Sequence, residues 1–426
     1  MSDPRKIAWE VLNKCTSAEQ YSNIALDTAI KRAELFEADR GLLTALVYGV
    51  IEKQITLDAC IDSLAARPAD EITPDVRNLL RMGLYQMAYL DRVPDHAAVN
   101  ETVDLASKRV KGFVNAVLRG FARGGKQIPV PSREEDPIRY LSVKYSFCEE
   151  LCERFVADFG LQRTEELFEA FGVQPPLTLR VNTLRIDRDA YLNALAQQGV
   201  RAIPTRESKS GVHVLDKLPV AALYGFNEGL FFVQDEASQL CVEALDAQKG
   251  MIVMDACACP GSKSFGIAIE MKNEGKVFSC DLHRNKLSLV QSGAERLGIS
   301  ILQIEARDAR DTREEWRNSF DRVLCDVPCS GFGVFAKKPE LRYKDPTASE
   351  ALPDIQLAIL QSASAYVKAG GRLVYSTCTL LPRENEENVA RFLKEAGGFR
   401  LLEERTLTPD LNGTDGFYFA VLERIL

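Results

Sequence analysis

Histidine and tryptophan are scarce in this chain: three and two among 426 residues. No histidine lies near a cysteine pair, which argues against a zinc site, and no metal is expected. Long apolar runs are also missing. No stretch approaches the ~18 residues that a bilayer span needs. The N-terminal MSDPRKIAWEVLNK carries charges throughout and lacks the apolar core of a signal peptide. These absences lead to the expectation of a cytoplasmic protein without membrane contact, and a monomer. Cysteine is not lacking: there are eleven, an odd number in a long chain without secretion signals, so reduced thiols are expected.

A basic excess is absent as well. The net charge of −8 argues at first against nucleic acid. An average hides patches, however. Residues 105–127 hold Lys108, Arg109, Lys111, Arg119, Arg123 and Lys126 and no acid. This stripe reads either as a nucleic-acid contact or as a solvated helix face.

The length predicts two to three domains at roughly 100–200 residues each. Residues 1–126 carry apolar positions at helical spacing in IAWEVL, NIALDTAI, GLLTALVYGVIEKQITLDACI, VRNLLRMGLYQMAYL and FVNAVLRGFA. An all-helical domain of six or seven helices is expected. Gly124-Gly125, Pro129, Pro131 and Pro137 mark a linker. Residues 127–233 then read as that linker and a small α+β platform. It has a helix over about 148–171, a strand in PPLTLRVNTL, a helix in DRDAYLNALAQQGV ended by Gly199, and short strands near 212–215 and 230–233. Residues 234–426 alternate strand and helix, which implies an α/β domain with a parallel, doubly wound, Rossmann-like sheet. Ligands of such a sheet lie at the carboxyl ends of its strands.

The strand ends carry acids: Asp255, Asp281, Asp308 and Asp326. Unpaired buried carboxylates are costly. Four in a row suit a ligand rich in donors and bearing positive charge, such as S-adenosylmethionine. Asp255 leads into Cys257-Ala258-Cys259-Pro260-Gly261-Ser262-Lys263, a tight turn before a helix that can bring backbone amides to a nucleotide-type ligand. Asp281 follows at the offset that suits ribose hydroxyls, and Asp308 is placed to meet an adenine edge.

Residues 320–344, FDRVLCDVPCSGFGVFAKKPELRYK, join a carboxylate, a thiol and a basic loop. Asp326 ends an apolar strand, Pro328 stops it, and Cys329 follows three residues after the acid. Lys337, Lys338, Arg342 and Lys344 come next with a single acid, Glu340. The combination points to chemistry on a polyanion. A buried cysteine beside a solvated basic loop is the plainer alternative. A second strand ends Tyr375-Ser376-Thr377-Cys378-Thr379. Two cysteines on neighbouring strand ends, with Asp326 between them, favour thiolate chemistry.

Asp-Val-Pro-Cys-Ser-Gly, Tyr-Ser-Thr-Cys-Thr, the Cys-Ala-Cys-Pro-Gly-Ser-Lys loop and Arg180-Val181-Asn182 together resemble the RNA cytosine-5 methyltransferases. Within them the chain is most similar to the bacterial Sun family of small-subunit rRNA methyltransferases. Its helical N-terminal segment resembles the NusB-type RNA-binding domain. The resemblance implies that Cys378 is the nucleophile, Asp326 holds ring nitrogen 3 of cytosine, and Cys329 assists release. It implies S-adenosylmethionine against residues 257–263 with Asp281, Asp308 and Asp326, and an unpaired or extruded base in 16S rRNA as substrate. The loop departs from the family form at Cys259, where Ala is usual, and at Ser262, where Gly is usual. YSFCEELCERF also lacks the His-Pro and Trp seen there in the family. A non-catalytic RNA-binding assembly factor of the same fold, or the same enzyme acting on tRNA, are the competing readings.

Overall fold

The computed structural model describes residues 3–18, 22–33, 35–66 and 68–425. The described chain divides into two compact units. The first comprises residues 1–172 with 337–346, and the second 173–336 with 347–426.

The first unit is helical. Helices Pro4–Ala18, Ser22–Arg32, Glu37–Glu52, Gln54–Leu64, Pro74–Tyr89, Asp95–Leu105 and Lys111–Arg123 share one core. Pro74 stands at the first helical turn, where its missing N–H costs nothing. The helix it opens is buried nearly all round, including Leu79, Leu80, Met82, Leu84 and Met87. Arg81 on that helix pairs with Asp58 through two bonds, Nη2 to Oδ2 at 2.6 Å and Nε to Oδ1 at 2.8 Å. A guanidinium fork on a carboxylate fixes orientation as well as distance.

Helices Pro137–Tyr145, Glu149–Phe159 and Leu161–Ala170 belong to this same unit. The boundary expected at 126 thus falls inside it. The helix expected over 148–171 is two helices, because Gly160 takes φ +77° and breaks the run. Phe147 and Phe168 stack at 3.9 Å between ring centroids.

The loop residues 337–346 complete the unit. Arg342, read as part of a basic loop suited to a polyanion, is fully buried. Its Nη1 donates to the Tyr145 carbonyl at 3.0 Å and its Nη2 to the Phe171 carbonyl at 2.8 Å. Its guanidinium lies 4.5 Å from the centroid of Phe147. Lys337 and Lys338 remain exposed. A charge run read from sequence does not distinguish the member that finds two carbonyls and a ring.

The second unit holds two sheets. The smaller is antiparallel, with β1 (Leu177–Val181), β2 (Ala202–Pro204), β3 (Gly211–Val214) and β4 (Phe231–Val233) in the order β2-β3-β1-β4. The larger contains β5 (Ile252–Asp255), β6 (Lys276–Asp281), β7 (Leu302–Ala306), β8 (Phe320–Asp326), β9 (Val367–Thr377), β10 (Phe399–Leu407) and β11 (Phe417–Arg424). Their order is β10-β11-β9-β8-β5-β6-β7. β5 to β9 pair in parallel. β11 is antiparallel to both β9 and β10, so the sheet is mixed where an all-parallel one was expected. The link from β10 to β11 contains only the one-turn helix Pro409–Asn412, too short for a parallel crossover.

Successive residues of the central strands enter different cores. Val253, Leu324 and Val374 face helices Glu236–Leu245, Ser262–Glu270 and Leu287–Leu297. Met254, Val323, Cys325, Leu373 and Tyr375 face helices Leu352–Ser364 and Glu386–Ala396. With both faces covered, continuous apolar strands such as Val323-Leu324-Cys325 are the natural sequence. Arg180 of β1 is fully buried and donates to Glu270 at 2.7 Å, tying the smaller sheet to the helix that starts at the 257–263 loop.

Arg342→Leu should destabilise the first unit by about 2–4 kcal/mol, because two buried carbonyls lose their donor. A melting temperature equal to that of the parent protein would contradict this account.

Candidate active site

The parallel register of β8 and β9 sets Asp326 opposite Ser376. One further bond, Val327 N to the Ser376 carbonyl at 3.1 Å, carries the pairing past the strand end. Both chains then leave the sheet, and the two thiols meet. Cys329 Sγ and Cys378 Sγ are 3.2 Å apart, and the Cys378 amide donates to Cys329 Sγ at 3.3 Å. Both are thiols outside any disulfide, and both are half-buried. The thiol–thiol hydrogen bond with Cys378, with burial, pushes the Cys329 thiol well above its ordinary range.

Asp326 sits beside them with both oxygens engaged. Lys263 Nζ lies 2.7 Å from Oδ2, and Ser376 Oγ donates to Oδ1 at 2.8 Å. Burial would lower the Lys263 ammonium, but the facing Asp326 outweighs it and holds the amine charged. Lys263 also lies over the Phe417 ring at 5.2 Å.

The 257–263 loop folds on backbone bonds. Ala258 N donates to the Cys280 carbonyl at 2.7 Å, and Cys259 N donates to Asp281 Oδ2 at 3.0 Å. Asp281 Oδ1 accepts from His283 N at 2.9 Å. A carboxylate has about four acceptor positions, so Asp281 keeps capacity for a ligand's hydroxyls. The peptide bond before Pro260 is cis. Gly261 takes φ +117°, and a Cβ there would meet the Phe265 ring at 2.5 Å. The glycine-only conformation therefore falls on Gly261. Ser262 is the first residue of helix Ser262–Glu270 and bears no such strain, despite its departure from the family loop. Burial, with Asp281 nearby, raises the Cys259 thiol to about 12. Cys257 is raised too, first by burial.

The four acids expected at the strand ends do not share one role. Asp255 is fully buried and accepts from Ser264 Oγ at 2.7 Å, which accepts from Ser279 Oγ at 2.8 Å. Its Oδ1 has no hydrogen-bond partner, and burial raises the carboxyl to about 7. Asp308 is clasped by Arg310, Nε at 3.0 Å and Nη2 at 2.5 Å, which holds its carboxyl down at about 2. Any ligand reaching Asp308 competes with that clasp.

The sequence reading missed residues that brace the thiols. Ser330 Oγ bonds Thr379 Oγ1 at 2.8 Å, and Asn385 Nδ2 donates to the Thr379 carbonyl at 3.0 Å. Gln356 Nε2 donates to the Pro328 carbonyl at 3.0 Å. Gly333 faces Gly416, and a Cβ on it would come within 2.9 Å of the Cys378 carbonyl. The only sequence signal was the polar run PRENEEN after Cys378, which reads equally well as a solvated helix start.

A family model for 16S rRNA methyltransferase RsmB/F matches residues 242–423. Models for the NusB family and for the RsmF/B-like ferredoxin-like domain match residues 2–123 and 149–221. A probable ribosomal RNA small subunit methyltransferase B of Bacillus subtilis is 39% identical, over 99% of this chain and 98% of its own. The chain belongs to the RsmB/F family of 16S rRNA methyltransferases. The ribosomal RNA small subunit methyltransferase B of Pseudomonas putida is 33% identical over 99% of both chains. The crystal structure of PH0851 superposes with a TM-score of 0.82 at 26% identity, covering 100% of this chain and 99% of that one. As an RsmB/F methyltransferase the chain uses S-adenosylmethionine. Carboxylates at the ends of adjacent strands fit a ligand that carries hydroxyls, an amine and a positive sulfonium.

Because the folded Asp255 carboxyl lies above its ordinary 3.8, the folded state holds that proton between about pH 4 and pH 7. Its contribution to stability is full at low pH and falls as pH rises through that window, by at most about 1.4 kcal/mol per pH unit. Asp255→Asn should flatten that fall in melting temperature between pH 5 and pH 8. An unaltered pH profile would count against the buried carboxyl.

Proposed function

We propose that this RNA methyltransferase forms 5-methylcytosine in small-subunit rRNA through a covalent cysteine adduct. The observation that carries the reading is the meeting of two thiols 3.2 Å apart beside a carboxylate at the strand ends of a methyltransferase sheet. Cytosine carbon 5 is a poor nucleophile until a thiolate adds at carbon 6. Cys378 forms that sulfur–carbon bond, and Asp326 holds the proton on ring nitrogen 3. Lys263 and Ser376 already donate to Asp326, which keeps it an acceptor. Bound S-adenosylmethionine supplies an electrophilic methyl carbon. Residues 257–263 with Asp281, Asp308 and Asp326 would hold it.

Cys329 then draws the proton from carbon 5. The electrons of that C–H bond restore the ring double bond, and the carbon–sulfur pair returns to Cys378. The timing follows from the same pair. The leading cause that keeps Cys329 protonated is its hydrogen bond with Cys378. Once Cys378 is a thioether that leading restraint is lifted, and Cys329, its own thiol proton released to solvent, acts as a base in its thiolate form.

RNA contact is assigned to the helical unit. Lys111, Asn115, Arg119 and Arg123 follow at i, i+4 spacing along helix Lys111–Arg123, with Lys108 and Arg109 exposed on the turn before it. Lys111 pairs with Asp104 and Lys126 with Asp95, which leaves Lys108, Arg109, Arg119 and Arg123 as the cations for phosphates. The assembly-factor reading rested on the altered loop at Cys259 and Ser262, and a strain-free Ser262 at the helix start speaks against half of that ground.

Cys378→Ala should abolish methyl transfer while cofactor binding by calorimetry persists. Cys329→Ala should instead accumulate a protein–RNA adduct, seen as a slow band on a denaturing gel. Continued turnover in the first variant removes Cys378 from the nucleophile role. Bisulfite sequencing of rRNA and tRNA from a deletion strain decides the substrate, since a cytosine lost from tRNA alone contradicts the rRNA assignment.

Charge reversal of Lys108, Arg109 and Arg123 to Glu should weaken RNA binding more at low salt than at high salt. It should also reduce the slope of log affinity against log salt by about 0.7–0.9 per lost phosphate contact. Equal affinity at both salt concentrations would make the stripe ordinary surface.

A further inference from the structure

Glu384 is a fully buried carboxylate on the turn Pro382–Glu384, six residues beyond Cys378. Its Oε2 accepts from the Ser330 amide at 3.0 Å and from Gln356 Nε2 at 2.7 Å. The same Gln356 nitrogen reaches the Pro328 carbonyl at 3.0 Å. The backbone on either side of Cys329 is therefore pinned, the carbonyl before it by Gln356 and the amide after it by Glu384. Glu384 is itself moored to the other cysteine's strand, since its carbonyl accepts from Tyr375 Oη at 2.6 Å. Its Oε1 is buried with no hydrogen-bond partner.

A buried carboxylate is an expensive way to hold one amide when a neutral oxygen would serve. What it adds is a stronger, charge-assisted bond to the loop that carries Cys329. Cys378 has no comparable need of it. β9 is held on both sides, with Asp326 opposite Ser376 in β8 and Tyr418 of β11 opposite Thr377. The two thiols thus differ in what fixes them: Cys378 directly follows a strand paired on both sides, whereas the loop of Cys329 is held by Gln356 and Glu384.

We propose that Glu384 is a positioning residue that keeps Cys329 in place for release of the RNA adduct, while formation of the adduct on Cys378 does not depend on it. This inference rests on the two-cysteine reading above. In the step concerned, Cys329 takes the carbon-5 proton, the C–H pair becomes the ring double bond, and the carbon–sulfur pair leaves with Cys378. A Cys329 loop released from Glu384 leaves that proton in place and the thioether intact.

The test uses full-length enzyme with S-adenosylmethionine and unmodified small-subunit rRNA. Adduct is read on a denaturing gel and methyl transfer by label. Glu384→Ala should form adduct as the parent does, yet retain it and lose turnover by about tenfold or more, the loss expected when a buried charge-assisted bond is removed. Glu384→Gln keeps a neutral acceptor for the Ser330 amide and should recover part of the release, falling short of the parent by what the charge adds. Parental release in Glu384→Ala overturns the proposal. So does equal loss of adduct and turnover in a variant that keeps its melting temperature and cofactor affinity. Should Glu384→Ala fail to fold, Gln356→Leu frees the Pro328 side of the loop and must show the same retention of adduct. Its absence there is equally decisive. Cys329→Ala is the control. If that variant holds no adduct, the two-cysteine reading itself fails; if it does while Glu384→Ala releases freely, only the present inference fails.

Discussion

Pairing between β8 and β9 is the constraint on which the site depends. Asp326 and Ser376 are partners across a parallel ladder, so whatever follows each of them by two or three residues emerges at the same edge. Cys329 and Cys378 are those residues. Side chains alternate along a strand, and a slip of one residue would turn Asp326 away from Lys263 and part the sulfurs. The slip is opposed from both faces of the sheet, because Leu324 and Val374 lie in one core and Val323 and Leu373 in the other. The chemistry is thus secured by apolar burial at a distance from the reacting atoms.

Eleven thiols raise the question of why two should differ from the rest. Cys60, Cys152, Cys241, Cys280 and Cys325 are buried among apolar neighbours, and burial pushes each thiol up. They behave as small hydrophobes. Cys329 is also raised, but foremost by another thiol rather than by burial. A restraint imposed by a reactive partner can be lifted by that partner's reaction, whereas one imposed by the core is permanent.

Much of this was legible in the chain. Apolar runs ending in Asp or Cys marked the central strands, and helical spacing marked the first seven helices, because both signals are local. What stayed hidden depends on distant partners. The reversed β11 follows from a short link rather than from its own residues. Asp255 and Asp308 look alike as strand-end acids, yet one is buried on Ser264 and the other clasped by Arg310. Glu384 reads as one more acid in a polar run until the loop of Cys329 is laid against it.

Arg342 and Tyr343 fill the first unit from a loop encoded far downstream of residue 172. Domains of most chains fold as units while they are synthesised, the N-terminal one first. Here the first unit takes one segment from far along the chain. When residue 172 leaves the ribosome, the carbonyls of Tyr145 and Phe171 still lack their donor, and the Phe147 ring lacks its cation. Translation must proceed through β8 and the turn of Cys329 before Arg342 can donate to those carbonyls. The nascent chain thus carries an unfinished N-terminal body for much of its synthesis.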